Sequence, residues 1–203
     1  MNEGILMVIS GPSGAGKGTV LKEIKELPDV YYSISATTRE KRPGEIDGEH
    51  YHFITRQTFE ELIEQDGLIE YARYCDDYYG TPKKNVTDAL AVGKVVILEI
   101  ETEGAAQIRK KFPQSVLLFI TPTYLSELRR RLIMRATETI EKIDKRVMRA
   151  QHEFLQTEQY DYIVINDQVE QAVGTIKSII KAEQSRAGRL AGQLKNDIAP
   201  VGE

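Results

Sequence analysis

The stretch Ile5-Leu6-Met7-Val8-Ile9-Ser10-Gly11-Pro12-Ser13-Gly14-Ala15-Gly16-Lys17-Gly18-Thr19 decides the fold. An apolar run of strand length enters a glycine-rich loop. The loop then opens into a helix, expected from Lys17 to about Leu27, with Val20, Leu21, Ile24 and Leu27 on one face. Glycines let consecutive backbone N–H groups turn inward around an anion, and the helix points its partly positive end at the same spot. Lys17 adds a full charge for bridging and terminal phosphates. The spacing Gly11-x-x-x-x-Gly16-Lys17 is that of a phosphate-binding loop. Gly18 stands where such a loop usually carries the hydroxyl that ligates Mg2+. Any Mg2+ is therefore expected to be held by phosphate oxygens and water, with Thr19 left to bond a phosphate oxygen.

Composition bounds what such a loop can serve. A chain of 203 residues has room for one sizeable core with small insertions. A net charge of -4 argues against a general nucleic-acid binder, so a polyanion site must be built from local clusters. The single cysteine, Cys75, cannot form an internal disulfide, and no charged-then-apolar leader opens the chain. Both point to the cytoplasm. No apolar run approaches the ~20 residues of a membrane helix, so no membrane partner is expected.

Working outward, Tyr31 to Ser35 alternates as a second strand, and Ala36 to His50 reads as a polar, basic loop. Tyr51 to Ile54 is a short strand. Thr58-Phe59-Glu60-Glu61 has capping-box spacing for a short helix. Leu68 to Tyr74 and Tyr78 to Thr81 read as strands around the turn Cys75-Asp76-Asp77. A helix from Lys83 stops at Gly93, and Val95 to Ile100 is a strand buried on both faces. A helix over Gly104 to Phe112, a strand over Val116 to Ile120 and a helix through Leu125, Leu128 and Leu132 follow. Beyond the polar segment Arg135 to Thr139 come a longer helix with Ile140, Ile143, Val147 and Phe154, a last strand over Tyr162 to Ile165, and a helix with Val169, Val173, Ile176 and Ile180. Ala187 to Glu203 reads as frayed. Alternating helices and apolar strands predict an α/β fold, a parallel sheet with flanking helices and ligands beyond its carboxyl edge. The expected division is a core of 1–34, 83–125 and 151–203, a β-rich insert of 35–82 and a lid of 126–150.

Ser35-Ala36-Thr37-Thr38-Arg39-Glu40-Lys41-Arg42-Pro43-Gly44-Glu45 sets two guanidinium groups three residues apart beside hydroxyls, a grip suited to a second phosphate. Glu99 and Glu101 leave a buried strand on one face. Arg131, Arg135, Arg146 and Arg149 surround the polar segment near 136–139. His50, His52 and His152 lack ligand spacing, which argues against a bound zinc.

With these stretches in hand, the chain resembles the guanylate kinase family from Ile5 to about Ile180. The resemblance runs through Ser10 to Thr19, Ser35 to Arg39, Arg42 to Glu45, Asp47 to Tyr51, Leu68 to Glu70, Tyr78 to Thr81, Leu98 to Glu101, Arg135 to Thr139, Lys145-Arg146 and Val164 to Asp167. It implies a P-loop nucleoside-monophosphate-kinase fold and transfer of the γ-phosphoryl group of ATP, carried with Mg2+, to GMP or dGMP. By the resemblance, Ser13, Gly14, Ala15, Gly16, Lys17, Gly18, Thr19 and Asn166 would bind ATP. Ser35, Arg39, Arg42, Tyr51 and Tyr79 would hold the GMP phosphate, while Glu70, Thr81 and Glu99 would face guanine. Lys17 and the lid arginines Arg135 and Arg146 would be catalytic, and Arg129, Arg130 and Arg149 would be exposed helix charges or supporting electrostatics. The base assignment is chemically consistent, since a carboxylate accepts from guanine N1–H and N2–H2 and a hydroxyl donates to O6, a pattern adenine reverses. Two other readings compete. One is a non-catalytic module of the same fold that holds phosphopeptides, and the other is a related kinase for a phosphorylated sugar.

Overall fold

The structure is a computed structural model and describes residues 4–74, 76–134 and 139–191. Cys75, Arg135 and the expected frayed end beyond 191 lie outside the described residues. Among the described residues, no helix is long and apolar enough to cross a membrane.

Five strands form the main sheet: β1 (Ile5–Ser10), β2 (Val30–Tyr32), β7 (Val95–Glu99), β8 (Val116–Thr121) and β9 (Tyr162–Ile165). They lie in the order β2-β7-β1-β8-β9 and every pairing is parallel. The alternation along β1 shows why helices must cover both faces. Ile5, Met7 and Ile9 join Val20, Leu21 and Ile24 of α1 (Lys17–Ile24) and Val173, Ile176, Ile179 and Ile180 of α7 (Val169–Gln184) in one cluster. Leu6 and Val8 point the other way, to Val86 of α3 (Lys83–Ala91) and to Ala105 and Ile108 of α4 (Thr102–Lys111). A side chain of period two meets two layers of period 3.6, and β1 and β8 are buried on both faces, while Ile163 and Ile165 of the edge strand β9 stay 52% and 45% exposed. Burying a Leu, Ile or Val in this way contributes roughly 1.5–3 kcal/mol each.

Between β2 and α3 the chain builds a second sheet, in the order β4-β3-β6-β5, from β3 (Ala36–Thr37), β4 (His52–Phe53), β5 (Leu68–Tyr74) and β6 (Asp77–Pro82). Its apolar centre is small: Ala36, Phe59 and Leu68, with Phe59 stacked on Tyr78 at 5.1 Å. The expected basic loop from Ala36 is thus interrupted. Ala36 and Thr37 are buried and pair with β4 on one side and β6 on the other, because two flanking strands supply ladder partners that a local reading cannot see. Helix α2 (Arg56–Glu64) also starts earlier than its sequence implies. Thr55, not Thr58, is the cap, and its hydroxyl accepts the N–H of Thr58 at 3.1 Å.

Several boundaries shift. α1 ends at Ile24 rather than Leu27, β2 covers Val30–Tyr32 rather than 31–35, and α4 opens at Thr102. The remaining helices, α5 (Leu125–Met134) and α6 (Ile140–Phe154), lie to either side of the undescribed residues 135–138. Residues 187–191, expected to fray, are helical. Arg189 fastens them by donating to the Gln114 carbonyl at 3.0 Å and meeting the buried Glu183 at 3.3 Å.

Candidate active site

The glycine-rich loop joins β1 to α1 at the carboxyl edge of the sheet, and two of its glycines are required by distance as well as by angle. At Gly11 a Cβ would lie 2.0 Å from the Ile120 carbonyl, and at Gly16 it would lie 2.6 Å from Nδ2 of Asn166. Gly16 is also the N-cap of α1, left-handed at φ 83°. No side chain caps the helix, so the first-turn amides of Lys17 and Gly18 have no intrahelical acceptor and are donors for an anion. Lys17 Nζ folds back onto the carbonyls of Gly11 and Pro12. Ser13, Gly18 and Thr19 are exposed, whereas Gly14 and Ala15 are buried.

Asn166, at the end of β9, is 2% exposed. Its Nδ2 donates to the Ala15 carbonyl at 2.7 Å, and its own carbonyl accepts from Arg131 at 2.9 Å. The residue expected to bind ATP therefore pins the loop with its amide, while its Oδ1 is buried without a partner among the described residues. Arg131 is held in turn by Glu127 at 2.8 Å. From α6, Arg146 donates to Ser13 Oγ at 3.0 Å, which brings one of the two expected lid arginines onto the loop.

A second cluster is assembled from both sheets. Arg39 donates through both terminal nitrogens to Glu45, at 3.0 and 2.8 Å, and this pairing holds the Glu45 carboxyl down to about 2. The guanidinium carbon lies 5.7 Å from the rings of both Tyr51 and Phe53, and Tyr51 meets Tyr79 edge-on at 5.9 Å. From the main sheet, Tyr32 donates to Glu99 at 2.8 Å. Burial, then the neighbouring Glu99 charge, pushes the hydroxyls of Tyr32 and Tyr51 upward. Arg39, Tyr51, Tyr79 and Glu99 are thus brought together. Arg42 is exposed on the loop, where its backbone N–H donates to Glu45, and Ser35 is half-buried with its carbonyl accepting from His52.

Glu70 and Thr81 face each other across the hairpin of β5 and β6. Glu70 is 3% exposed and Thr81 is fully buried, and the Thr81 hydroxyl donates to Glu70 Oε1 at 2.7 Å. A hydroxyl has one proton, so in this geometry Thr81 orients the acid rather than donating to a ligand. Burial raises the Glu70 carboxyl to about 7 against the opposing Thr81 hydrogen bond. On α4, Gly104 leaves the room this acid needs, since a Cβ there would lie 2.5 Å from Glu70 Oε2.

Several contributing residues carried no local signal. Glu45 was legible only as part of a basic loop, and Tyr32, Gly104 and Glu153 stand alone in sequence. Arg149, expected to be an exposed helix charge or supporting electrostatics, reaches Glu101 at 3.2 Å and Glu153 at 3.0 Å. Glu153 is 6% exposed, its Oε2 has no partner among the described residues, and burial with the nearby Glu101 raises its carboxyl against Arg149 and Lys17.

The donor set suits Mg2+ that arrives on a nucleotide. Among the described residues no group of three or more His, Cys, Asp or Glu could hold a metal ion by itself. The first turn of α1 presents an exposed Thr19, and the side chain of Glu101, the N-cap of α4, is more than half exposed. Mg2+ keeps several of its waters, and such groups can receive them without a protein cage.

A nucleotide-phosphate loop at the carboxyl edge of a parallel sheet, with a small second sheet opposite it, is the plan of the P-loop nucleoside monophosphate kinases. The profile of the Guanylate kinase family matches residues 3–183. A guanylate kinase of Desulfitobacterium hafniense is 50% identical over 189 residues, 93% of this chain and 94% of that protein. One from Thermus thermophilus is 46% identical over 192 residues, 95% and 87% respectively. The crystal structure of guanylate kinase from Anaplasma phagocytophilum superposes with a TM-score of 0.80 at 30% identity, covering 100% of this chain and 98% of that one. The chain belongs to the guanylate kinase family.

Proposed function

We propose that this chain transfers the γ-phosphoryl group of MgATP to GMP or dGMP, giving ADP and GDP or dGDP. The observation that carries this reading is the buried Glu70–Thr81 pair beside the Arg39, Tyr51 and Tyr79 cluster, a base-reading acid next to a phosphate grip, in a chain of this family.

In this reading the amides from Ser13, Gly14, Ala15, Gly16, Lys17 and Gly18, with the Thr19 hydroxyl, wrap the ATP phosphates, and Asn166 fixes the loop that does so. Ser35, Arg39, Arg42, Tyr51 and Tyr79 hold the GMP phosphate. Glu70 accepts from N1–H and N2–H2 of guanine, Thr81 fixes the acid, and Glu99 borders the same pocket through Tyr32. Lys17, Arg146 and Arg135 stabilise the negative charge that spreads over the equatorial oxygens during transfer. When bound with ATP, Mg2+ shields charge on the donor phosphates. Residues 35–82 act as the acceptor insert and 126–150 as the lid over a core of 1–34, 83–125 and 151–203. Their approach would exclude water, so that a GMP phosphate oxygen, already a nucleophile, outcompetes hydrolysis. No general base or covalent intermediate is required. The small-molecule partners are ATP and GMP, and the cytoplasm is the proposed location.

Neither alternative is favoured. A phosphopeptide module has no need of the Lys17 loop with Arg146 upon it, and a phosphosugar kinase has no use for a buried acid that reads N–H donors. ADP release measured with GMP, dGMP, AMP and a phosphosugar tests the reading. Turnover with GMP far above AMP is expected, and comparable turnover with AMP or none with GMP would overturn it.

A further inference from the structure

Helix α6 returns from the lid to the core, and its buried residues Ile143, Ala150 and Glu153 define the face it turns inward. Arg146 and Arg149 are three residues apart and Glu153 lies four beyond Arg149, so all three project from neighbouring positions on one side of the helix. Arg146 touches the loop at Ser13 Oγ, 3.0 Å away. One turn on, the Arg149 guanidinium sits between two carboxylates from different elements. Its terminal nitrogen donates to Glu101 Oε2 at 3.2 Å, and its Nε donates to Glu153 Oε1 at 3.0 Å. Glu101 immediately follows Ile100, whose carbonyl accepts from Ser10, the last residue before the loop. Arg149 thereby joins the lid's return helix to the strand end that abuts the phosphate-binding loop.

We infer that Arg149 is a positioning residue for phosphoryl transfer: by bridging Glu101 to the buried Glu153, it fixes the face of α6 from which Arg146 reaches the loop. The inference rests on the phosphotransferase reading above. A planar guanidinium forks across two acceptors as an ammonium cannot, so the bridge demands arginine and not merely positive charge. Arg149 meets the carboxylates of Glu101 and Glu153, and not the Glu70–Thr81 pair that would read the base. The effect therefore belongs on kcat rather than on GMP affinity.

Steady-state kinetics of Arg149→Met, Arg149→Lys, Glu101→Ala and the Arg149→Met/Glu101→Ala double variant test the bridge. Arg149→Met is expected to lower kcat by about 10- to 100-fold, the range a misplaced group produces, with KM for GMP changed less than about threefold. Arg149→Lys should recover only part of the loss. In the Glu101→Ala background Arg149→Met should cost less than it does alone, because the contact to Glu101 is already gone and only that to Glu153 remains to be lost. Thermal melts separate this from misfolding. If Arg149→Met does not fold, Arg149→Lys, which keeps a positive charge beside the buried Glu153, must still lower kcat with KM for GMP preserved. Wild-type kcat in Arg149→Met, full recovery by lysine, additive losses in the double variant, or an unchanged Glu101→Ala would overturn the bridge alone. A wild-type protein that makes no ADP from ATP and GMP would overturn the phosphotransferase reading and this inference with it.

Discussion

Glu70 is the residue whose chemistry is most altered by its surroundings, and its charge state links the base pocket to pH. Burial places its carboxyl at about 7 against an ordinary 4.5, so the folded protein favours the protonated acid. The stabilising contribution of that proton is fully present below about 4.5 and is lost as pH rises through about 7. Above that the buried charge costs up to about 3 kcal/mol, at ~1.4 kcal/mol per unit. Glu70→Gln should flatten this part of the stability profile, so the gap between its melting temperature and that of the wild type should widen from pH 5 to pH 8. Guanine N–H donors require the ionised acid. Wild-type GMP affinity is expected to strengthen from pH 6 to 8 more than that of Glu70→Gln, and parallel profiles in calorimetric titrations would refute the link. Lys17 is the second residue with a sharp expectation. Lys17→Ala should lower kcat by about 10^2- to 10^3-fold, the cost of removing one preorganised charge-stabilising donor, while GMP binding stays measurable. Near wild-type turnover in a coupled assay would dismiss its role.

At the scale of elements, the base pocket is a three-way contact between β5, β6 and the start of α4. Gly104→Ala tests it, because the added methyl would lie 2.5 Å from Glu70 Oε2 and the acid must move. KM for GMP should rise about tenfold or more with a smaller change in KM for ATP; equal changes would place the damage elsewhere. The main strands and helices were legible because β1, β7 and β8 are near-continuous apolar runs and the helices repeat at 3.6 residues. The insert was harder to read. β3 is two residues long and exists only because β4 and β6 flank it, and the α2 cap at Thr55 was masked by a capping-box pattern one turn later. Short elements held by non-local ladder bonds leave little trace in local propensity.

Across the whole molecule, helix α4 fastens the second sheet to the core through side-chain bonds to β5. The Gln107 side chain on α4 donates to the Tyr71 carbonyl at 2.7 Å and accepts from its N–H at 3.3 Å, while Lys111 donates to the Ile69 carbonyl at 2.8 Å. Both clamp the strand that carries Glu70. Gln107→Ala, which leaves two backbone groups without that partner, should cost about 1–2 kcal/mol and raise KM for GMP several-fold. An unchanged melting temperature and KM would show that this fastening carries no load. The sequence alone determined the parallel α/β core and the phosphate loop. Periods and a glycine spacing are local properties of the chain, and so was the Arg39–Arg42 pair, whereas Tyr51, Tyr79, Glu70, Thr81 and Asn166 became candidates only through the resemblance to the guanylate kinase family. Only the tertiary structure decided that Thr81 serves Glu70, that Asn166 grips Ala15, that Glu45 meets Arg39, and that Arg149 spans Glu101 and Glu153. Those outcomes depend on which side chains arrive within about 3 Å of one another, where hydrogen bonds form. Such distances follow from packing whole elements together, and no window of sequence contains them.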